Sequence, residues 1–208
     1  MALINDLIGE GWLKTPRIIS AFNKIKREDF LPASPAGGPE DSKDLSELNR
    51  ALPIGYGQTI SQPLVVAFML ELLEPNKGDK ILDVGSGSGW TTALLAEIVG
   101  EGGKVVSLEI IPELMEFGKE NISKYDFKNI ESVCADGSKR YKKYMPYDRI
   151  LASASARKIP EAWKEQLKVG GRIVAPKDNS ICLIVKKSEN VFEEKEYPGF
   201  VFVPLITK

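Results

Sequence analysis

A doubly wound α/β fold is expected for this 208-residue sequence: a mostly parallel sheet with helices on both faces and an antiparallel strand at the C-terminal end. Three features carry that expectation. Short, continuous apolar runs alternate with helical patterns from residue 80 to residue 175, as strands buried on both faces require. A glycine-rich turn separates the first of these runs from its helix. The last apolar runs follow one another with no helix between them, which favours antiparallel pairing.

Taken in order, residues 3–13 and 17–25 carry apolar side chains at helical spacing, with Thr15-Pro16 reading as an N-cap and first helical position. Residues 32–58 hold four prolines, four glycines and three serines and read as a connector without regular structure. An apolar helix is expected from Pro63 to Leu73. Lys80–Val84 is the first parallel strand and Trp90–Val99 its helix. Val105–Leu108 is the second strand, followed by a helix from Pro112 to about Lys124. Ile130–Cys134 and Asp148–Ala152 are the third and fourth strands. A helix from Pro160 to Leu167 leads to a strand over Arg172–Ala175. Ser180–Lys187 and Phe200–Ile206 read as the final strands, joined by the charged, turn-forming stretch Ser188–Gly199.

The length fits one domain over 1–208, with 1–60 as a helical and loop extension and 61–208 as the α/β core. Composition removes several function classes. The longest apolar run, Leu64–Leu70, is far below the ~20 residues that span a bilayer. The acidic N-terminus does not resemble a secretory signal, so a cytoplasmic protein is expected. There is no histidine, hence no Ser-His-Asp or Cys-His device, and no metal site is expected. Cys134 and Cys182 lie in apolar runs and read as reduced core residues. The net charge of −1 argues against a surface built for nucleic acid.

The chemistry concentrates at Ile81-Leu-Asp-Val-Gly-Ser-Gly-Ser-Gly89. Ligands of open α/β sheets bind beyond the carboxyl ends of the strands, where glycines let the backbone approach closely and the next helix offers free N–H groups. Gly85, Gly87 and Gly89 give G-x-G-x-G. The dinucleotide fingerprint would need a small residue where Trp90 stands. Asp83 can accept a hydrogen bond from an amino group, Glu109 at the second strand end can take both hydroxyls of a ribose, and Asp136-Gly137 at the third can meet an adenine edge.

This set resembles the class I S-adenosylmethionine-dependent methyltransferases, and so implies their Rossmann-like fold. By that resemblance Gly85, Ser86 and Gly87 line the methionine part of S-adenosyl-L-methionine, Asp83 anchors its amino end, Glu109 the ribose, and Asp136 and Gly137 the adenine. S-adenosyl-L-homocysteine would be the product.

A second run, Ala51-Leu-Pro-Ile-Gly-Tyr-Gly-Gln-Thr-Ile-Ser-Gln-Pro63, is similar to the signature of protein-L-isoaspartate O-methyltransferases. Lys14–Arg17, Arg27–Pro32, Pro146–Ile150, Ile159-Pro160, Leu167–Arg172 and Phe202–Leu205 resemble the same family, so the likeness covers the chain apart from 33–50 and 178–198. The resemblance implies methyl transfer to the free α-carboxylate of isoaspartyl residues in damaged proteins. It puts Gln58, Thr59 and Ile60 beside the cofactor, and Ser61 with Thr59 at the reacting carboxylate. Ser61 also reads as an N-cap of the apolar helix behind it. A monomer acting on isoaspartyl proteins and peptides is expected, with neither membrane nor nucleic acid as partner.

Three departures keep alternatives open. Gln62-Pro63-Leu64 stands where the family commonly has Ala-Pro-His, and Arg157 replaces a proline after the fourth strand. The tail ends at Lys208, so cofactor contacts made there in relatives are expected to be missing. A non-catalytic cofactor-binding relative is one alternative. The run Lys139-Arg-Tyr-Lys-Lys-Tyr144 offers another, RNA or a different methyl acceptor, although a solvated helical turn is the favoured explanation of that run.

Overall fold

The computed structural model describes residues 2–33 and 44–208; much of the proline- and glycine-rich connector, 34–43, lies outside these. Two N-terminal helices, α1 (Ala2–Gly9) and α2 (Pro16–Lys24), and a 3₁₀ turn at Arg27–Phe30 precede a hairpin of β1 (Leu52–Gly55) and β2 (Gln58–Ile60). Helix α3 (Pro63–Leu73) leads into the alternating core. There β3 (Lys80–Val84), α4 (Trp90–Val99), β4 (Lys104–Glu109), α5 (Pro112–Ile122), β5 (Ile130–Cys134) and β6 (Tyr147–Ala152) follow one another. A five-residue α6 (Glu161–Glu165), then β7 (Leu167–Lys177), β8 (Ser180–Ser188) and β9 (Val191–Pro198) complete the chain.

The main sheet has seven strands in the order β5-β4-β3-β6-β7-β8-β9, parallel from β5 to β7 and antiparallel across β7-β8-β9. The order reverses at β3, so the crevice for a ligand opens beyond the ends of β3, β4 and β6. Central strands read as unbroken apolar runs because both faces are covered: Ile81, Leu82, Val105, Val106, Ile150 and Ile173 are all fully buried. One face packs on α3, α4, α5 and the N-terminal helices. The other is covered around Trp163, Tyr147 and Leu167.

Several sequence expectations change. The first helix stops at Gly9, with Gly11 in the left-handed region at φ 76° just beyond. Thr15 occupies the N-cap of α2, but its hydroxyl does not cap the helix. It donates instead to Glu71 of α3 at 2.7 Å, and the same carboxylate accepts the Lys14 and Thr15 amides at 2.8 Å each. Residues 52–60 form a hairpin because Gly55, Tyr56 and Gly57 take consecutive positive φ values of 92°, 54° and 70° and turn the chain back. Helix α6 is shorter than expected, since Leu167 already pairs with Tyr147 in the sheet.

The largest correction is at the C-terminus. The final strand is Val191–Pro198, inside the stretch read as a charged connector, and Phe200–Ile206 forms only an isolated bridge from Pro204 to Ser155. Strand β9 is the sheet edge, exposed along nearly its whole length. Charge there costs nothing and blocks further pairing. Its glutamates meet lysines of neighbouring elements: Glu194 with Lys164, Glu196 with Lys177 and Glu193 with Lys187.

Candidate active site

A cleft opens over the carboxyl ends of β3 and β4. Its floor is the glycine turn. Gly85 and Ser86 both donate their amides to Leu108 O, at 2.8 and 3.2 Å, which folds the turn onto the end of β4. Glu109 completes the join. Its Oε2 accepts the Gly87 amide at 2.9 Å, while Oε1 accepts those of Ile110 and Ile111 at 2.8 and 3.0 Å. One carboxylate thus fixes both the glycine turn and its own strand end, and it still lines the cleft.

Close approach explains two glycines. A Cβ on Gly89, whose φ is 86°, would lie 2.8 Å from Gly118 O of α5. A Cβ on Gly137 would lie 2.5 Å from Val84 Cγ1, and the Gly137 carbonyl accepts the buried Trp163 indole at 2.7 Å. Gly137 therefore forms cleft wall because no side chain fits between it and β3.

Asp83 does not line the cleft. It is completely buried beneath the turn, where Oδ2 accepts the Thr92 hydroxyl at 2.6 Å and Oδ1 has no partner. Burial, with the Glu109 charge nearby, pushes its carboxyl up to about 7 despite the Thr92 hydrogen bond. Asp136 also faces away from the cleft floor. Its Oδ1 accepts from the Ser138 amide and hydroxyl, and Oδ2 from the Lys208 amide. Those bonds outweigh its burial and hold the carboxyl below its ordinary range. The end of the cleft nearest Asp136 is instead walled by Leu108, Ile110, Ala135 and Gly137.

The β1-β2 hairpin forms the opposite wall. Ile54 reaches to 3.2 Å from where a Gly87 Cβ would be, and Gln58, Thr59, Ile60 and Ser61 all line the cleft. Ser61 is not the helix cap: Gln62 occupies that position, without a side-chain cap bond. The Ser61 hydroxyl has no hydrogen-bond partner among the described residues. Ser61 and Thr59 also line an adjoining hollow with Gln62, Val65, Ser153 and Val201–Val203.

Sequence reasoning missed the tail. Val203, Pro204, Leu205 and Ile206 line the cleft, although the tail was expected to contribute little there. The segment is tied down by Ser155 N donating to Val203 O and Leu205 N donating to Ser155 O, both at 2.8 Å. Its apolar alternation was visible but was read as a sheet strand. Arg157 is exposed and outside the cleft wall.

Over residues 1–208 the chain matches the family model described as protein-L-isoaspartate(D-aspartate) O-methyltransferase. The chain belongs to this family. A protein-L-isoaspartate O-methyltransferase of Ignicoccus hospitalis is 41% identical, the alignment covering 98% of this chain and 95% of that one. A second, protein-L-isoaspartate O-methyltransferase 2 of Archaeoglobus fulgidus, is 44% identical over 91% of this chain and 84% of that one. In fold, the chain superposes with a TM-score of 0.86 on a Plasmodium falciparum crystal structure described as a protein-L-isoaspartate O-methyltransferase in complex with S-adenosyl-L-homocysteine. The identity is 21% and the coverage 100% of this chain and 98% of that one.

The residues present fit the cofactor of an isoaspartyl methyltransferase. The cleft is floored by backbone rather than side chains and carries an acid at the β4 tip. Asp83 Oδ1, buried and unpartnered, leaves acceptor capacity beneath the turn. Among the described residues no group of three or more metal-ligating side chains occurs. Among the described residues no helix is long and apolar enough to cross a membrane.

The basic run beside the cleft is largely occupied in this methyltransferase. Glu131 accepts from the Tyr144 and Tyr141 hydroxyls at 2.6 and 2.8 Å and from Lys143 at 2.9 Å. The Tyr144 and Lys143 bonds hold the Glu131 carboxyl down at about 2. Arg140 pairs with Glu165, and Lys139 with Asp136 at 3.4 Å and Lys208 O at 2.7 Å. Lys104 and Lys143 also lie over the Tyr144 ring, with Nζ 5.4 and 5.1 Å from its centroid, so its face is already engaged.

Proposed function

We propose that this protein transfers the methyl group of S-adenosyl-L-methionine to the free α-carboxylate of L-isoaspartyl residues in damaged proteins. The observation that carries the reading is the hairpin: Thr59 within it and Ser61 directly after it line the wall opposite the glycine turn, where the cleft meets an open hollow. When bound, the cofactor supplies a sulfonium methyl open to displacement by an oxygen nucleophile, leaving S-adenosyl-L-homocysteine.

The acceptor is an α-carboxylate with an ordinary pKa near ~3.5, so it arrives ionised at neutral pH and needs no general base. A chain without histidine suits that chemistry. The protein's part is alignment and exclusion of water, and orientation alone contributes up to about 7–11 kcal/mol. Ser61 and Thr59 orient the carboxylate by hydroxyl donation. A hydrogen bond positions the oxygen without removing the charge that makes it reactive. Gln58, Ile60, Gly85, Ser86, Gly87, Glu109 and Gly137 hold the cofactor, with Asp83 and Asp136 supporting its two ends from behind the wall. The same reading makes the protein a cytoplasmic monomer whose partners are isoaspartyl proteins and peptides, with no membrane or nucleic acid involved.

The test is methyl transfer from labelled cofactor to an isoaspartyl peptide, with the aspartyl peptide of the same sequence as control. Label in the isoaspartyl peptide alone is expected. Equal label in both, or cofactor binding without transfer, overturns the reading. Ser61→Ala is expected to lower kcat at least tenfold while leaving affinity for S-adenosyl-L-homocysteine within twofold.

A further inference from the structure

We infer that Arg27 is the positioning residue for Ser61, setting the distance between the substrate-side hairpin and the cofactor-side helix. The inference rests on the reading of Ser61 given above. Arg27 lies in the 3₁₀ turn after α2, remote in sequence from both motifs, and is only 6% exposed. Its guanidinium donates to four backbone carbonyls: Nη1 to Ser46 O and Leu48 O at 3.2 and 3.1 Å, and Nη2 to Arg50 O and Ser61 O at 2.8 and 3.2 Å. These carbonyls come from the two ends of the segment that contains the hairpin. Both ends of the hairpin are thus pinned to one rigid, planar group.

The other face of the guanidinium lies 5.5 Å from the centroid of the Trp90 ring. Trp90 is the first residue of α4, directly after the glycine turn, and it lines the cleft. Arg27 therefore bridges Ser61 to the residue that begins the cofactor-side helix. Pure fold stabilisation accounts poorly for this arrangement. A buried cation with only carbonyl partners, and with its Nε unpartnered, is costly to retain, and no carboxylate among the described residues pairs with it. Lysine cannot replace it, because an ammonium has three donors on a point and no plane to stack.

Arg27→Lys keeps the charge and removes the fork. It is expected to lower kcat for an isoaspartyl peptide at least tenfold, with S-adenosyl-L-homocysteine affinity changed less than threefold. If Arg27 acts through Ser61, the same substitution in a Ser61→Ala background costs less than threefold, because the hydroxyl it positions is already gone. An equal loss in both backgrounds, or a loss confined to cofactor affinity, overturns the inference. Arg27→Gln serves as a second variant, and if neither variant folds by circular dichroism Arg27 is a structural post and the inference fails. Absence of isoaspartyl transfer by the unsubstituted protein would instead sink the functional reading itself.

Discussion

Thr92, in the first turn of α4, donates its hydroxyl to Asp83 Oδ2 at 2.6 Å, and among the described residues this is the sole hydrogen bond to a carboxyl group with no exposure to solvent. Burial raises that carboxyl from 3.8 to about 7 in the folded state. An acid raised on folding binds its proton more tightly in the native than in the unfolded chain. Its contribution is most favourable below pH 3.8 and is lost as pH rises towards 7, with a ceiling of about 4 kcal/mol. Asp83→Asn should therefore flatten the fall in stability between pH 4 and 7, read by urea unfolding across that range. An unchanged slope would mean that Asp83 is not the titrating group.

Glu109 accepts three amides, from Gly87, Ile110 and Ile111. Glu109→Gln turns one acceptor oxygen into a donor facing those amides. Cofactor-product affinity should drop ten- to a hundredfold by calorimetry, with about 1–3 kcal/mol of stability lost.

Gly118 offers a test in which helix propensity and packing disagree. Alanine is favoured over glycine in a helix by about 1 kcal/mol. Here, however, a Cβ would meet Gly87 O at 2.7 Å and Gly89 N at 3.3 Å. Backbone on both sides cannot yield cheaply, so Gly118→Ala should lower the melting temperature and weaken binding of S-adenosyl-L-homocysteine, at a net cost of about 1–3 kcal/mol.

At the basic run, replacing Lys139, Arg140, Lys142 and Lys143 with alanine should leave peptide methylation within twofold. Filter binding should find no salt-sensitive RNA affinity in the parent protein. Glu131 is depressed to about 2 by the tyrosine and lysine around it, so its contribution is present above pH 4.5 and disappears as pH falls towards 2. Its surface position limits that to about 1 kcal/mol or less, which Glu131→Gln would remove.

Strand β3 and helices α3 and α4 lie where the pattern put them, to the residue, because each buries a continuous apolar surface or starts at a proline or after a glycine. Strand β5 also matches its expected bounds, although it is a half-buried edge strand and Cys134 at its end is exposed rather than a core residue. The glycine turn and Glu109 were legible for a related reason. A backbone bent into positive φ and an acid at a strand tip follow from local residue type. Strand β9 was not legible, since an exposed edge strand buries no apolar stripe. The hairpin was hidden by a composition typical of loops.

Residue order alone established the alternating sheet and the glycine turn, and the family resemblance of residues 51–63 pointed to the candidate hydroxyls of Thr59 and Ser61. Docking between distant segments decided the rest: Asp83 beneath the turn, the tail from Val203 to Ile206 against the cleft, and Arg27 joining Ser46, Arg50 and Ser61 to Trp90. Local pattern encodes which face of an element avoids water. Which carbonyl a buried guanidinium finds depends on where whole elements come to rest, and no window of neighbouring residues contains that information.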